Sequence, residues 1–390
     1  MPHSQQRNGE AAYVGRHGLA QLLLWSAFYY LLPALSGQIA LETDWSVLFV
    51  SSTFTLAFLL WALCAPIVGR LIDAGFGAAV IRTGAIAGTL ILLCLSQTSD
   101  KVMFSVLVVL LGICMAATLY DPCFAMMMRR LKVAGTNAVA SVTLIAGFAT
   151  LLTFPLVIVL SSGMGWQRIV LVFAALAAIA VVALPKEITG QPDTEKERAG
   201  MRLEKGPVLI ALAFGLVMMG HAILLFLLPV VLMQGQGDTS VALLSLAILG
   251  PAQIAGRVVW KYYGAAFSPQ NCAAVMFVCL CLPASLLLFF GTAPFIVYAA
   301  LIVQGACYGI HTILRPGLAQ RYLAVSHLGR GLGMIAMVGL LMMALGPAIG
   351  GAIWTFAGAT GLIGSILVIN GLALVLGLVL RGVAPKEALV

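Results

Sequence analysis

Long apolar runs separated by short polar breaks dominate this chain. Each run reaches ~20 residues or more, the length a helix needs to cross ~30 Å of hydrocarbon. None shows the apolar/polar alternation over about ten positions that marks a barrel strand. The pattern predicts about twelve helical spans. In the first half they cover 19–40, 45–68, 80–95, 102–128, 139–160 and 167–184. In the second half they cover 207–233, 241–262, 272–290, 295–318, 332–354 and 362–380. The third is the shortest of the first six. The expected layout is a polar tail (1–18), a six-helix bundle (19–185), a linker (186–206), a second six-helix bundle (207–381) and a short tail (382–390).

Composition agrees with this pattern. Of 390 residues, 62% are hydrophobic and only 9% charged, against about a quarter charged in a soluble domain. Mean hydropathy is +1.09. The fold class is therefore an all-α polytopic membrane protein. No cleavable signal is read before the first span, which is expected to stay as an anchor. The eight cysteines fall in or beside predicted spans and read as small apolar fillers, not as a disulfide framework. The 41 glycines read mainly as sites of close helix packing. Prolines inside spans, such as Pro33, Pro155 and Pro347, read as kinks.

The net charge of +8 is distributed unevenly. With the N-terminus inside, Arg16, Arg70, Arg82, Arg129, Arg130, Arg257, Arg321 and Arg381 all gather on one side, with the linker bases. Lys101 and Arg168 fall on the other. This asymmetry predicts that both termini and the linker are cytoplasmic. It reads as a topology signal, and no nucleic-acid partner is expected.

The chain repeats itself. Thr118-Leu-Tyr-Asp-Pro-Cys-Phe-Ala returns as Thr312-Ile-Leu-Arg-Pro-Gly-Leu-Ala, an offset of 194 (312 − 118), about half the length. The aligned position carries Asp121 in one copy and Arg315 in the other. Gly69-Arg and Gly256-Arg end the second and eighth spans, and Pro185-Lys-Glu and Pro385-Lys-Glu close the halves. Parallel repeats of this kind build transporters whose site lies between the halves.

Several polar residues sit where apolar ones are expected. A carboxylate in an apolar run is costly and rarely accidental. Asp121 reads either as a group that takes and releases a proton or as half of an ion pair at a gate or helix end. Arg315 offers a bidentate fork to an anionic solute. It also reads as a partner for Asp121 or as a cation snorkelling to the interface. His221, mid-span, suits a proton relay or a neutral core hydrogen bond. His311 precedes Arg315 by four residues, so both share a helix face, and His311 is expected to be neutral. Tyr29, Tyr30 and Tyr308 read as ligand hydrogen-bonders or as packing aromatics. Gln21, Gln38 and Gln304 read as cavity amides or interhelical glue. His3, His17 and His327 are placed outside the spans. No phosphate-binding loop is present, and no His/Glu/Asp cluster has the spacing of a metal or hydrolase site. No metal, cofactor or catalytic residue is expected.

With these residues in hand, the chain resembles the major facilitator superfamily of secondary transporters over nearly its whole length. The loop Gly69-Arg-Leu-Ile-Asp-Ala-Gly-Phe-Gly matches the family pattern at Gly69, Leu71 and Asp73. Phe76 departs from it, and Ala74, Ala78 and Ala79 replace its usual basic residues. Tyr120-Asp-Pro-Cys-Phe-Ala and Gly250-Pro-Ala-Gln-Ile-Ala-Gly-Arg are similar to a bacterial branch, some members of which export arsenic compounds. The resemblance implies two pseudo-symmetric six-helix bundles, with spans 1, 4, 7 and 10 lining a cavity. It also implies a conformational-switch loop, here Gly69, Arg70 and Asp73 with Arg129 and Arg130 as partners. It implies a monomer in the bacterial inner membrane working by alternating access, its partners a small solute, protons and lipid. The solute is expected to be an anion or metalloid compound. Two other readings stay open: a proton-driven exporter of hydrophobic compounds, and a non-transporting receptor or membrane-embedded enzyme.

Overall fold

The computed structural model describes residues 3–131, 135–185, 204–236, 239–323 and 328–384. Most of the expected linker lies outside them. Among the described residues there is no strand, and eleven helices are long and apolar enough to cross a membrane. They are α1 (Gly9–Thr43), α2 (Val47–Leu71), α3 (Ala74–Leu95), α4 (Lys101–Met128), α5 (Ala138–Ser161), α6 (Trp166–Ala183), α7 (Lys205–Leu232), α8 (Ser240–Trp260), α9 (Pro269–Phe290), α10 (Pro294–Gln320) and a last run, Gly331–Arg381.

That last run holds two crossings. The helix breaks at Gly358, whose φ of 59° and ψ of −157° suit glycine alone. Before Gly358 (α11) the run packs on α7, where Gly346 meets the Met219 carbonyl. After it (α12) it packs on α9, where Asn370 Nδ2 donates to Leu280 O at 2.8 Å. Among the described residues the fold is thus all-α, with twelve crossings. The first helix starts earlier than the apolar pattern indicates. It takes in His17, which is buried and not outside the spans. Amphipathic turns ahead of Leu19 find partners in α4 and α5 that hydropathy alone does not reveal.

The chain forms two compact units, one of residues 1–45 and 56–196, the other of 46–55 and 197–390. In the first unit, α1 holds both ends of α6. Glu42, near the end of α1, accepts from the Trp166 N–H at 3.1 Å, replacing the side-chain cap that Gly165 cannot give. At the other end Arg16 Nε donates to Ala183 O at 2.8 Å, and Arg82 Nη2 donates to Leu184 O at 3.1 Å. A carboxylate at the N-terminus and guanidiniums at the C-terminus complement the helix dipole, each by about 0.3–1 kcal/mol. The basic residues counted for topology therefore also terminate a helix. Gly112 of α4 sits against the Ala57 carbonyl of α2 so closely that any Cβ would collide with it.

In the second unit the same device joins α8 and α10. Gly309 abuts the Gln253 carbonyl and Gly256 the Ala306 carbonyl. The first turns of α2 belong here. The Ala348 N–H, next to Pro347, donates to Thr55 Oγ1 at 2.9 Å, and Phe54 packs on Phe226 with ring centroids 5.1 Å apart. The unit's core includes Phe214, Phe277, Leu280, Leu314 and Ile335.

Candidate functional site

Chemistry in the first unit begins at the Asp-Pro step. Pro122 has no N–H, so the Thr118 carbonyl four residues back loses its helical partner. The α4 run breaks there: one helix ends at Thr118, Leu119 turns extended (φ −75°, ψ −156°), and a new helix runs Tyr120–Leu131. Gln21 of α1 fills the gap, its Nε2 donating to Thr118 O at 2.7 Å. Asp121 thereby occupies a helix first turn, where unshared N–H groups meet a carboxylate. Its side chain is exposed. A carboxylate sunk in the middle of an unbroken helix is not what forms, because the following proline creates a helix start.

Beside it stands an aromatic cluster. Residues Trp25–Tyr30 of α1 form a π-helical turn just ahead of Pro33, and Leu31 N–H reaches back five residues to Ser26 O. Such single turns relieve a disrupted ladder and recur at functional sites. The turn brings Trp25 onto Tyr120 (4.6 Å between centroids) and Tyr29 onto Phe58 (5.5 Å, stacked). Tyr30 packs on Tyr29 at 5.0 Å. Trp25 Nε1 has no hydrogen-bond partner, although a buried indole N–H usually finds one. Trp25, Phe58, Trp61 and Tyr120 are not singled out by the sequence reading. Their signal was spacing: Trp25 and Tyr29, and Phe58 and Trp61, are neighbours on a helix face.

The second unit gathers its polar residues on one stripe. Gln304, Tyr308, His311 and Arg315 follow the i, i+4, i+7, i+11 spacing of a single helix face. Opposite them on α7 stand Phe214, Met218 and His221. His221 stacks on Tyr308 (3.7 Å, 13°), and Tyr308 stacks on His311 (5.1 Å, 4°), giving a three-ring column. Gln304 Nε2 lies 3.3 Å from His221 Nδ1. His311 Nε2 lies 3.1 Å from the Phe214 carbonyl. A carbonyl only accepts, so Nε2 carries the hydrogen and Nδ1 of a neutral ring is an acceptor. That Nδ1 and Gln304 Oε1 are both buried with no hydrogen-bond partner. Arg315 is half-buried and reaches toward α7, Nη1 donating to Met218 Sδ at 3.4 Å. Five of the residues expected to carry chemistry thus meet in one place, and His311 and Arg315 share a face as expected.

Of the switch-loop residues, only some side chains are described. Arg70 and Arg130 are exposed, and Arg130 lies over the Tyr13 ring at 4.1 Å. The side chains of Asp73 and Arg129 lie outside the described residues. After Gly69 the loop closes as one tight turn, Ile72–Phe76, with Gly75 at a φ of 91°. Gly75 takes the left-handed position that only a residue without Cβ adopts freely. Gly77 then lies so near Met126 that a Cβ would come within 2.9 Å of its Sδ.

Two repeats of membrane-crossing helices, each with polar groups on its first and fourth helices, define a membrane transport protein and not an enzyme. The family model described as the Major Facilitator Superfamily matches residues 18–294. The chain belongs to the major facilitator superfamily. Among solved structures it is similar to the nucleoside transporter NupG (TM-score 0.73, 14% identity, covering 95% of this chain and 98% of that one). It is also similar to a bacterial homologue of the human lysosomal transporter Spinster (0.75, 12%, 98% and 99%) and to a D-xylose–proton symporter (0.74, 12%, 96% and 98%). No curated protein matches the chain.

Proposed function

We propose that the protein is a proton-coupled secondary transporter of a small anionic solute, working by alternating access in the bacterial inner membrane with both termini cytoplasmic. The observation that carries this reading is the polar stripe on α10 with its partners on α7. Ionisable and amide groups inside membrane helices mark substrate and ion pathways by default. Arg315 supplies the cationic fork for a carboxylate or oxyanion, and Tyr308 and Gln304 lie further along the same helix face. Asp121, held at a helix start beside the aromatic cluster, is the first candidate for the proton-carrying group. One fold neighbour, the D-xylose–proton symporter, is itself proton-coupled by name, which is compatible with this assignment.

The test is flux in liposomes containing the purified protein under an imposed pH gradient. Lumenal pH should change only when the correct solute is added. Asp121→Asn should abolish accumulation driven by the gradient while leaving solute exchange measurable. Unchanged accumulation in that variant would remove Asp121 from the proton path.

A second reading is favoured by a specific observation. Gln304 Oε1 and His311 Nδ1 are buried acceptors without donors, which suits a neutral solute bearing hydroxyl or N–H groups. A panel that pairs each anion with its uncharged analogue separates the two: transport of the uncharged members alone selects the neutral solute.

A further inference from the structure

A second cluster lies in the same helix as Asp121, beginning two residues further on. His17 of α1 is buried to 2% exposure and Cys123 of α4 to 0%. The Cys123 Sγ lies 3.7 Å from His17 Nδ1. Met127 follows Cys123 by one helical turn on the same face, is also fully buried, and belongs to the same core cluster with Tyr13, Ala138 and Val142. A thiol and an imidazole nitrogen therefore meet in an apolar surround, with a thioether one turn along the same helix face. Among the described residues no three His, Cys, Asp or Glu side chains group as a metal site, so this set is distinguished by its thioether.

We propose that His17, Cys123 and Met127 bind a soft monovalent metal ion, Cu(I) or Ag(I). Three arguments support the assignment. Thiolate and thioether donors select Cu(I) over harder cations. If Cu(I) takes bonds near the about 2.3 Å to sulfur and about 2.0 Å to nitrogen seen for zinc, the observed 3.7 Å separation subtends about 120° at the metal. That angle leaves the third position of a trigonal site for Met127. Finally, a monovalent ion on one thiolate is neutral overall, whereas a divalent ion would leave a net charge in an apolar cluster, which is costly. The step involves no redox change. The Cys123 thiol loses its proton to solvent, the sulfur–metal bond forms, and the His17 and Met127 lone pairs complete the shell. The ion would tie the start of α1 to α4 two residues beyond Asp121.

Anaerobic titration of the purified full-length protein with Cu(I), against a chromophoric chelator, tests this directly. The wild type should hold one tight equivalent. Cys123→Ser and His17→Gln should weaken it by more than the about 10–100-fold that a mere supporting residue costs. Cys64→Ser, outside the cluster, should leave it unchanged, and Zn(II) should not compete. X-ray absorption of the loaded protein should read two sulfurs and one nitrogen. Equal binding by Cys123→Ser, or a spectrum with no nitrogen contribution, overturns the proposal. Should Cys123→Ser fail to fold, Met127→Leu, a volume-conserving change, carries the same test.

Discussion

The two copies of the Thr-x-x-x-Pro motif fold differently, and the contrast shows what a repeat determines and what it leaves free. In Thr118–Ala125 the helix stops at Thr118 and restarts at Tyr120. In Thr312–Ala319 it runs unbroken from Pro294 to Gln320 with Pro316 inside. Each proline removes the same N–H. What differs is the neighbour. Gln21 reaches across to satisfy Thr118 O, which lets the first copy open and present Asp121 at a helix start. The link between first and fourth helices is itself repeated with its roles exchanged. Gln21 gives a side-chain donor to a backbone carbonyl on α4, whereas His311 of α10 gives one to Phe214 on α7. Both pairs are displaced by 193 (214 − 21 and 311 − 118), one residue short of the 194 that aligns the motifs.

The largest effect expected from breaking this comparison comes from the glycines that set helix spacing in each half. Gly112→Val and Gly309→Val each drive a side chain into a backbone carbonyl, of Ala57 and Gln253 respectively. A carbonyl in a helix cannot turn aside as a side chain can. Each variant should therefore lose more than the about 1–3 kcal/mol of ordinary overpacking. Thermal unfolding in detergent measures this, with Gly317→Val, which meets nothing within 4 Å, as the control. Equal melting of all three would mean the helices stand further apart than described.

Next come the two interhelical hydrogen bonds. Thr118 O has no helical donor, because Pro122 lacks one, so Gln21→Leu strands a buried acceptor at a cost of about 1–3 kcal/mol. Phe214 O lies within an unbroken helix and keeps its own N–H partner. His311→Leu should therefore lose only the about 0.6 kcal/mol typical of a polar contact between membrane helices. If the two losses come out alike, the exchange of roles has no energetic meaning.

At the motif's charged position the comparison bears on function. Arg315→Lys keeps the charge but loses the planar fork. For an anionic solute, affinity should fall about tenfold, which is about 1.4 kcal/mol, in a binding titration of the purified protein. For a neutral solute it should not move.

How far the sequence discloses these features follows a physical divide. Apolar run lengths decide the fold class, because the hydrocarbon imposes one length on every crossing. The stripe Gln304, Tyr308, His311 and Arg315 is also legible, because helix periodicity alone puts those residues on one face. What the sequence conceals depends on partners far along the chain. The boundary at Gly358 is no such case: it falls between the expected spans 332–354 and 362–380, at a glycine that adopts the dihedrals of the break. Asp121 reads as a residue inside a span, since its helix start requires Gln21, 97 residues away along the chain from Thr118. The pairing of His17 with Cys123 spans 106 residues, and a histidine beside an N-terminal polar segment gives no sign of burial.

The smallest effect, and the sharpest test of the contrast, lies at the prolines. Pro316→Ala restores an N–H to a helix that is already continuous. Membrane helices tolerate proline because neighbours absorb the disruption, so the stability change should stay within about 1 kcal/mol, well below the ~3 kcal/mol proline costs in an exposed helix. Pro122→Ala should act through Gln21 instead. The substituted alanine offers Thr118 O a helical donor, so the break at Leu119 can close and the Gln21 amide becomes redundant. In that background Gln21→Leu should cost about 0.6 kcal/mol, no longer the about 1–3 kcal/mol of a stranded acceptor. The difference is a coupling energy, read by a double-mutant cycle on unfolding free energies. A closed helix would also move Asp121 from a first turn to a helix interior, so gradient-driven accumulation should fall in Pro122→Ala while Pro316→Ala keeps it. A cycle with no coupling would show that the break at Leu119 is held by something other than the missing N–H.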